Sequence, residues 1–525
     1  MAKLRPFKNQ LGIQMAEKTN GLRPSWIGSR ASEIASSLVV VALAAAITIY
    51  RYDLVAGVQT LEWDSGGFLT DAGYFAGMSQ YAQGYDQTRP PFVPFLLSIG
   101  FRMFGPSQNV GYVVSAGFYF LAMVGCYLLA KQLMNPLLAV AAGLTYGIVP
   151  SVFEWSSIAV SDVEAVAVAS LGLATFIMAT NGHSRLYLVS IPLLFLTGLT
   201  RYSMGAIVLV AVFYLIVTKK YDTIFDSFEF YYSVGLGLLV FILVGFQWIL
   251  YPVEQHETLS ALFPSPDQVN PFHSSLGHGF YALNFPIELG YGAYGELLLA
   301  FFCFGIVFFL APALLGRKTG ANPLAWTMLC WFTVMFLYYS FVWPYADQRY
   351  SIEFAMPVII LAFWALSILL KQIYSIGKMK SASLSKLVPT LLFIGLIVSV
   401  VGISGASAAN DTLFTNPVLL ESDLNTGLRQ ALSWVSANVP TDDHLQSDWY
   451  TLVWWYAPEY NTTPAPLDYE LGPSSTYSSW VQTIISNNIQ YIVYVNPSDI
   501  VIPSLLHPVF QSSVGDTVVY KVVND

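Results

Sequence analysis

The residues best suited to chemistry sit together in EWDSGGFLTDAGYFAGMSQYAQGYDQTRPPFVPFLLSIGFRMFG, residues 62–105. Glu62, Asp64 and Asp71 come first, then an Arg89-Pro90-Pro91 turn, then a short apolar stretch. Arg201 lies in LTGLTRYSMG, Asp162 in SSIAVSDVEAVAV and Arg349 in WPYADQRYSIEFAMP, each at the edge of an apolar run. Charged groups held beside lipid are costly and are kept for chemistry or transport. A guanidinium grips phosphate oxygens two at a time and stays charged at any relevant pH, so Arg89, Arg201 and Arg349 on one surface would make a phosphate site. A carboxylate beside them could take a proton from an acceptor hydroxyl. For that role Asp71 ranks first, Asp162 second and Asp64 third. Blander roles compete: each arginine could snorkel to lipid head groups, Asp71 at the start of an AGYF helix or Asp162 could cap a helix, and Glu62 with Asp64 could solvate the loop or hold a cation.

The elements that must position these groups are membrane helices. Hydrophobic residues make up 55% of the 525, charged residues only 10%, and mean hydropathy is +0.56. A soluble domain carries about 25% charged residues. The net charge of −9 argues against nucleic acid as a partner. Cys126, Cys303 and Cys330 lie in apolar runs and give no disulfide framework. Runs of about twenty apolar residues predict eleven spans, near 33–50, 110–130, 134–150, 162–180, 186–199, 202–218, 231–250, 293–315, 323–342, 351–370 and 387–405. The segment 91–104 is short and Pro-rich at its start, and reads as an interfacial helix.

Basic residues orient the spans. With the N-terminal segment 1–32 in the cytoplasm, sixteen of the 23 Lys and Arg fall on the inner side. Only Arg51, Arg89, Arg102, Arg201, Arg349, Arg429 and Lys521 fall outside. This is the bias of cytoplasmic loops toward Lys and Arg, and it fails if 91–104 is counted as a crossing. The first outer loop is then 51–109, and the membrane domain runs over 33–406. Residues 407–525 read as a small extracytoplasmic α/β domain, with helices in LRQALSWVSANVP and SSWVQTIISNN and strands in HLQSDW, IQYIVYV and TVVYKVV. The outer loop 251–292 holds His256, His273 and His278 with Glu254, Glu257 and Asp267, a mixture able to bind zinc or manganese but in no compact metal spacing. Asn410 and Asn461 fit the acceptor triplet for N-glycosylation.

The ordered motifs resemble the GT-C glycosyltransferases that use polyprenyl-phosphate sugars, most of all the branch of protein O-mannosyltransferases and the lipid A aminoarabinose transferase. That branch shows an acid pair and a Tyr after the first span, then Lys-Pro-Pro or Arg-Pro-Pro and an apolar stretch ending in Phe-Gly. Here these are Asp71, Tyr74, Arg89-Pro90-Pro91 and Phe104-Gly105. Its Thr-Asp before the fourth span is similar to Ser161-Asp162, its Thr-Lys-Gly turn to Thr200-Arg201, and its late Arg-Tyr to Arg349-Tyr350, with Pro357 following. The second acid of the pair is Ala72 here, so that role is missing or falls to Asp64 or Glu62. The tail stretch ALSWVSANVPTDDHLQSDWYTLVWWY resembles the approach to the Trp-Trp-Asp-Tyr-Gly motif of oligosaccharyltransferases, but Trp454-Trp455-Tyr456-Ala457 lacks that Asp and Gly.

The resemblance implies a polytopic helical GT-C-like fold and transfer of a sugar from a polyprenyl- or dolichyl-phosphate donor to a hydroxyl of a glycan, lipid or protein, in the plasma membrane of a prokaryote. Asp71 would be the base. Arg89, Arg201, Arg349 and Tyr350 would hold the donor phosphate, and Tyr74, Pro90, Pro91 and Phe92 would meet lipid or acceptor. A single displacement by a directly acting base inverts the anomeric centre. No cofactor is required, and a divalent cation stays open. A lipid flippase is the competing class, but it would place its charges near the midplane of the spans rather than at their outer mouths.

Overall fold

The computed structural model describes residues 30–246 apart from 60, 87 and 157, then 281, 284–285, 293–310, 322–343, 348–376, 416–465, 475–495 and 505–523. The eleventh predicted span, 387–405, and the histidines of the 251–292 loop lie outside the described residues.

Among the described residues, five helices are long and apolar enough to cross a membrane: Glu33–Val58, Gln108–Lys131, Asp162–Thr180, Pro323–Phe341 and Arg349–Lys371. Shorter apolar helices stand between them. In chain order the first half runs α1 (Arg30–Val58), α2 (Trp63–Phe75), α3 (Phe92–Phe104), α4 (Gln108–Lys131), α5 (Pro136–Ile148), α6 (Pro150–Trp155), α7 (Asp162–Thr180), α8 (Tyr187–Thr200), α9 (Ile207–Thr218), α10 (Tyr221–Phe225) and α11 (Phe228–Val244). Then come α12 (Ala293–Gly305), α13 (Pro323–Phe341) and α14 (Ile352–Ile376). The helix α7 begins at Asp162, where the apolar pattern put the fourth span. The 13 residues of α3 rise only about 20 Å, too short for a hydrocarbon core of about 30 Å. Gly105 ends α3 at φ 81°, a backbone state that costs a side-chain-bearing residue strain.

Two boundaries differ from the sequence reading. The first helix runs on to Val58, so Arg51 belongs to a helix and not to the outer loop. Arg51 is buried rather than at the lipid surface. It donates to the carbonyls of Glu154 (2.5 Å) and Ser156 (3.3 Å), which pins α6 against α1. The helix carrying Asp71 starts at Trp63, eight residues before that aspartate, and its N-cap is Glu62, whose carboxylate accepts from the Asp64 amide at 2.7 Å. Asp71 therefore caps nothing.

The C-terminal part carries α15 (Asn416–Asn438), α16 (Tyr450–Tyr456) and α17 (Ser475–Ser486) around a five-stranded sheet. Its strands are β1 (Leu445–Ser447), β2 (Thr462–Pro464), β3 (Tyr491–Val495), β4 (Leu506–Gln511) and β5 (Thr517–Val522), in the order β2-β1-β3-β5-β4. β1 pairs parallel with β2 and β3, while β5 runs antiparallel to β3 and β4. The sheet does not stand apart from the first loop. Phe68, Leu69 and Ala72 of α2 share one buried cluster with Leu428, Leu452, Val453 and Trp455. The Thr451 hydroxyl donates to the Trp63 carbonyl (2.5 Å), and Trp63 Nε1 donates to the Asp448 carbonyl (3.2 Å). Trp455 stacks on Tyr81 and Phe101 and so braces the loop, while Trp454 donates to the Thr462 carbonyl of β2.

Candidate active site

Helix α2 is the platform. Asp64 and Asp71 are seven residues apart, two turns, so they lie on one face. Gly67 lies between them on that same face, three residues after the first and four before the second. A Cβ there would land on the guanidinium of Arg89. Its neighbour Gly66 does the same work about 100° further round the helix, where a Cβ would meet the Thr451 carbonyl oxygen at 2.5 Å. The Gly-Gly pair thus lets α16 and Arg89 approach adjacent sides of α2.

Each arginine read from the sequence meets one of the three ranked acids. Arg89 Nη1 stands 3.9 Å from Asp71 Oδ2. Arg201 Nη1 is 3.0 Å from Asp162 Oδ1. Arg349 Nη1 is 2.5 Å from Asp64 Oδ2. Tyr350 joins two of the pairs: the guanidiniums of Arg201 and Arg349 lie 5.3 and 5.1 Å from its ring centre, and Arg349 also donates to its hydroxyl at 3.2 Å. Trp155, on the helix that Arg51 pins, lies under Arg349 at 5.4 Å.

Electrostatics show the arginines converging. Burial alone would raise the Asp64 carboxyl; the Arg349 guanidinium, helped by Arg89 and Arg201, outweighs it and holds the group below the usual carboxylate range. Asp71 goes the other way. Burial dominates, Arg89 offsets only part of it, the Asp86 charge adds to it, and the carboxyl is pushed up to about 8. Its Oδ1 accepts from the Asp86 amide (2.9 Å), and its Oδ2 accepts no hydrogen bond among the described residues. One acid is therefore tied up as a counter-ion, and its neighbour two turns on is poised near neutrality to take up or release a proton. Perturbed carboxyls beside fixed cations mark functional sites.

The other named positions spread around this centre. Tyr74 is half exposed and stacks on Tyr85 at 4.2 Å. Pro91 opens α3, next to Pro90. Phe92 is buried against Phe118, 6.3 Å between ring centres. Among the described residues no group of three His, Cys, Asp or Glu could hold a metal ion.

Sequence reasoning passed over Glu353. It is fully buried in α14 and pairs with Arg201 Nε. It also accepts from the hydroxyls of Tyr339 (2.5 Å) and Ser203 (3.1 Å). Arg201 is thus gripped by Asp162 and Glu353 from two helices. A glutamate inside an apolar run was the available signal, since such a group needs a partner.

The family model described as dolichyl-phosphate-mannose-protein mannosyltransferase matches residues 88–248, which open on the Arg-Pro-Pro turn. In structure the chain is similar to ArnT from Cupriavidus metallidurans bound to undecaprenyl phosphate: TM-score 0.56 and 15% identity, over 92% of this chain and 97% of that one. It is also similar to the archaeal oligosaccharyltransferase AglB from Archaeoglobus fulgidus, in complex with an inhibitory peptide and a dolichol-phosphate, with TM-score 0.54 and 13% identity over 88% of this chain and 69% of that one. The chain shares its fold with these structures. No curated protein matches it in sequence. The position read as the missing second acid, Ala72, is fully buried, and the carboxylate sharing a face with Asp71 is Asp64.

The glycine between the two acids gives a direct test. Gly67→Ala should leave α2 intact, because alanine favours helix. It must push the Arg89 guanidinium off the face it shares with Asp71. The expected result is binding of a phosphate-bearing ligand weakened by about tenfold or more, the scale of one lost charge-assisted hydrogen bond, with helix content unchanged.

Proposed function

We propose that this protein is a membrane glycosyltransferase that moves a sugar from a polyprenyl- or dolichyl-phosphate carrier to an acceptor hydroxyl on the outer face of the membrane. The observation that carries the reading is the placing of Asp64 and Asp71 on one face of α2, with Arg89 between them and Arg201 and Arg349 acting on Asp64. A sugar phosphate needs cations where charge grows on the leaving oxygen and a base at the attacking hydroxyl. The three arginines fill the first role. Asp71 fills the second: it is held by one amide, its buried Oδ2 accepts no hydrogen bond among the described residues, and it ionises near pH 8. If Asp71 acts directly as the base and no carboxylate forms a covalent intermediate, displacement is single and the anomeric configuration inverts. The carriers named with ArnT and AglB, undecaprenyl phosphate and dolichol-phosphate, are the donor chemistry this site would take.

The outer placing follows from the charge bias: eleven spans, residues 1–32 in the cytoplasm, the site in the first outer loop, which now begins after Val58, and residues 407–525 as an extracytoplasmic α/β domain in a prokaryotic plasma membrane. Acceptors are a glycan, a lipid or a protein. An oligosaccharyltransferase-like activity ranks second, because Trp455 is engaged in bracing the first loop and Trp454 in a bond to the Thr462 carbonyl.

Purified protein in detergent, given polyprenyl-phosphate mannose or a related donor and a panel of hydroxyl acceptors, should transfer labelled sugar. Absence of transfer, combined with movement of the same lipids across liposomes, would assign the site to a flippase instead.

A further inference from the structure

We propose that Asp86 is the positioning residue that sets how Arg89 is shared with the base Asp71, its amide donating to Asp71 and its carboxylate competing for Arg89. The inference rests on the glycosyltransferase reading for its catalytic consequence, and on geometry alone for the coupling. Asp86 N–H donates to Asp71 Oδ1 at 2.9 Å. Asp86 Oδ1 accepts from the Thr88 amide (2.9 Å) and hydroxyl (2.7 Å), closing a short side-chain-to-backbone turn. Asp86 Oδ2 lies 3.7 Å from Arg89 Nε, and the Arg89 amide donates back to the Asp86 carbonyl at 3.3 Å.

The turn is fixed at both flanks. Tyr85 stacks on Tyr74 of α2. The Thr88 carbonyl accepts from the Tyr202 hydroxyl at 2.8 Å, next in sequence to Arg201. Moving Asp86 would therefore move the amide on the base and the counter-charge on the arginine together. The charged groups facing Asp71 are Arg89 and Asp86; those facing Arg89 are Asp71, Asp86 and Asp64, with the Tyr450 phenol.

Two substitutions separate charge from turn. Asp86→Asn keeps an oxygen for Thr88 but removes the negative charge. Asp71 then loses a repelling neighbour, and Arg89 loses a competing partner. Both changes favour the Asp71 carboxylate, so its titration should move to lower pH, by about one unit for a charge at this range. Asp86→Ala removes the turn as well.

The experiment is infrared titration of the protonated carboxyl band of Asp71 in the full-length protein, assigned by its loss in Asp71→Asn. Its midpoint should fall in Asp86→Asn, and an unmoved or raised midpoint overturns the proposal. With donor and acceptor present, the low-pH limb of kcat/KM should shift in the same sense. Asp86→Ala should lose more plateau rate than Asp86→Asn, and equal losses would also count against the coupling. A wild type that transfers no sugar would defeat the glycosyltransferase reading while leaving the band titration to decide the Asp86 coupling.

Discussion

Asp71→Asn should keep the protein folded and membrane-inserted, yet lower sugar transfer at least ~10²-fold, the low end for loss of a positioned general base. The substitution keeps the shape and the acceptor for the Asp86 amide, so α2 and its contacts stay in place. What goes is the capacity to take the hydroxyl proton. The wild-type pH profile supplies the sign. Burial pushes the Asp71 carboxyl up to about 8 despite the opposing Arg89, so the base form is scarce at pH 6 and grows as pH rises through that value. kcat/KM, which reports the ligand-free enzyme, should rise with pH and level off above about 8. In Asp71→Asn that limb should vanish from the residual rate. A variant with near-normal transfer, or a residual rate with the same limb, would remove Asp71 from the mechanism.

Arg349→Ala should act on binding and rate together. In the structure without donor, Arg349 holds Asp64 at 2.5 Å and the Tyr350 hydroxyl at 3.2 Å. A leaving phosphate would draw on the same guanidinium, and its hydrogen bonds would strengthen as negative charge builds on oxygen. Loss of a charge-assisted contact of this kind costs about 10²-fold or more in kcat, with weaker donor binding besides. Arg349→Lys should rescue only part, because an ammonium cannot make the forked contact. Arg349→Ala also strips Asp64 of its counter-ion, so the double variant Arg349→Ala/Asp64→Asn separates instability from lost catalysis. If stability returns in the double variant and transfer does not, the arginine serves the phosphate. Intact transfer in Arg349→Ala would make it an interfacial anchor and leave the site to Arg89 and Arg201.

Much of this arrangement was legible because charge beside lipid is scarce. Arg89, Arg201 and Arg349 stood out as outer cations, and Asp64, Asp71 and Asp162 as acids at span edges. Which acid meets which arginine was not legible. Those pairings join residues 18, 39 and 285 positions apart, and helix packing alone decides them. Glu353 escaped notice because it sits four residues beyond Arg349 in a run that otherwise reads as a span. The Gly66-Gly67 pair carried no signal of its own in the sequence, and only the close approach of Thr451 and Arg89 explains it inside a helix. The short strands β2 and β4 and the helix α16 were missed, since three to seven residues carry too little periodicity. The start of α2 was misplaced for a local reason: Glu62 rather than Asp71 supplies the cap, and Gly-Gly hides the helical pattern between them.

The most direct measurement is a mass balance on the purified protein. A polyprenyl-phosphate sugar and an acceptor are incubated with wild type, Asp71→Asn and Arg349→Ala, and the polyprenyl phosphate released and the glycosylated acceptor formed are quantified in the same sample by mass spectrometry. The wild type should yield the two products one for one, and both variants should yield neither above about one hundredth of that amount. Polyprenyl phosphate released without glycosylated acceptor, or product formed equally by all three proteins, would contradict the assignment of sugar transfer to this site.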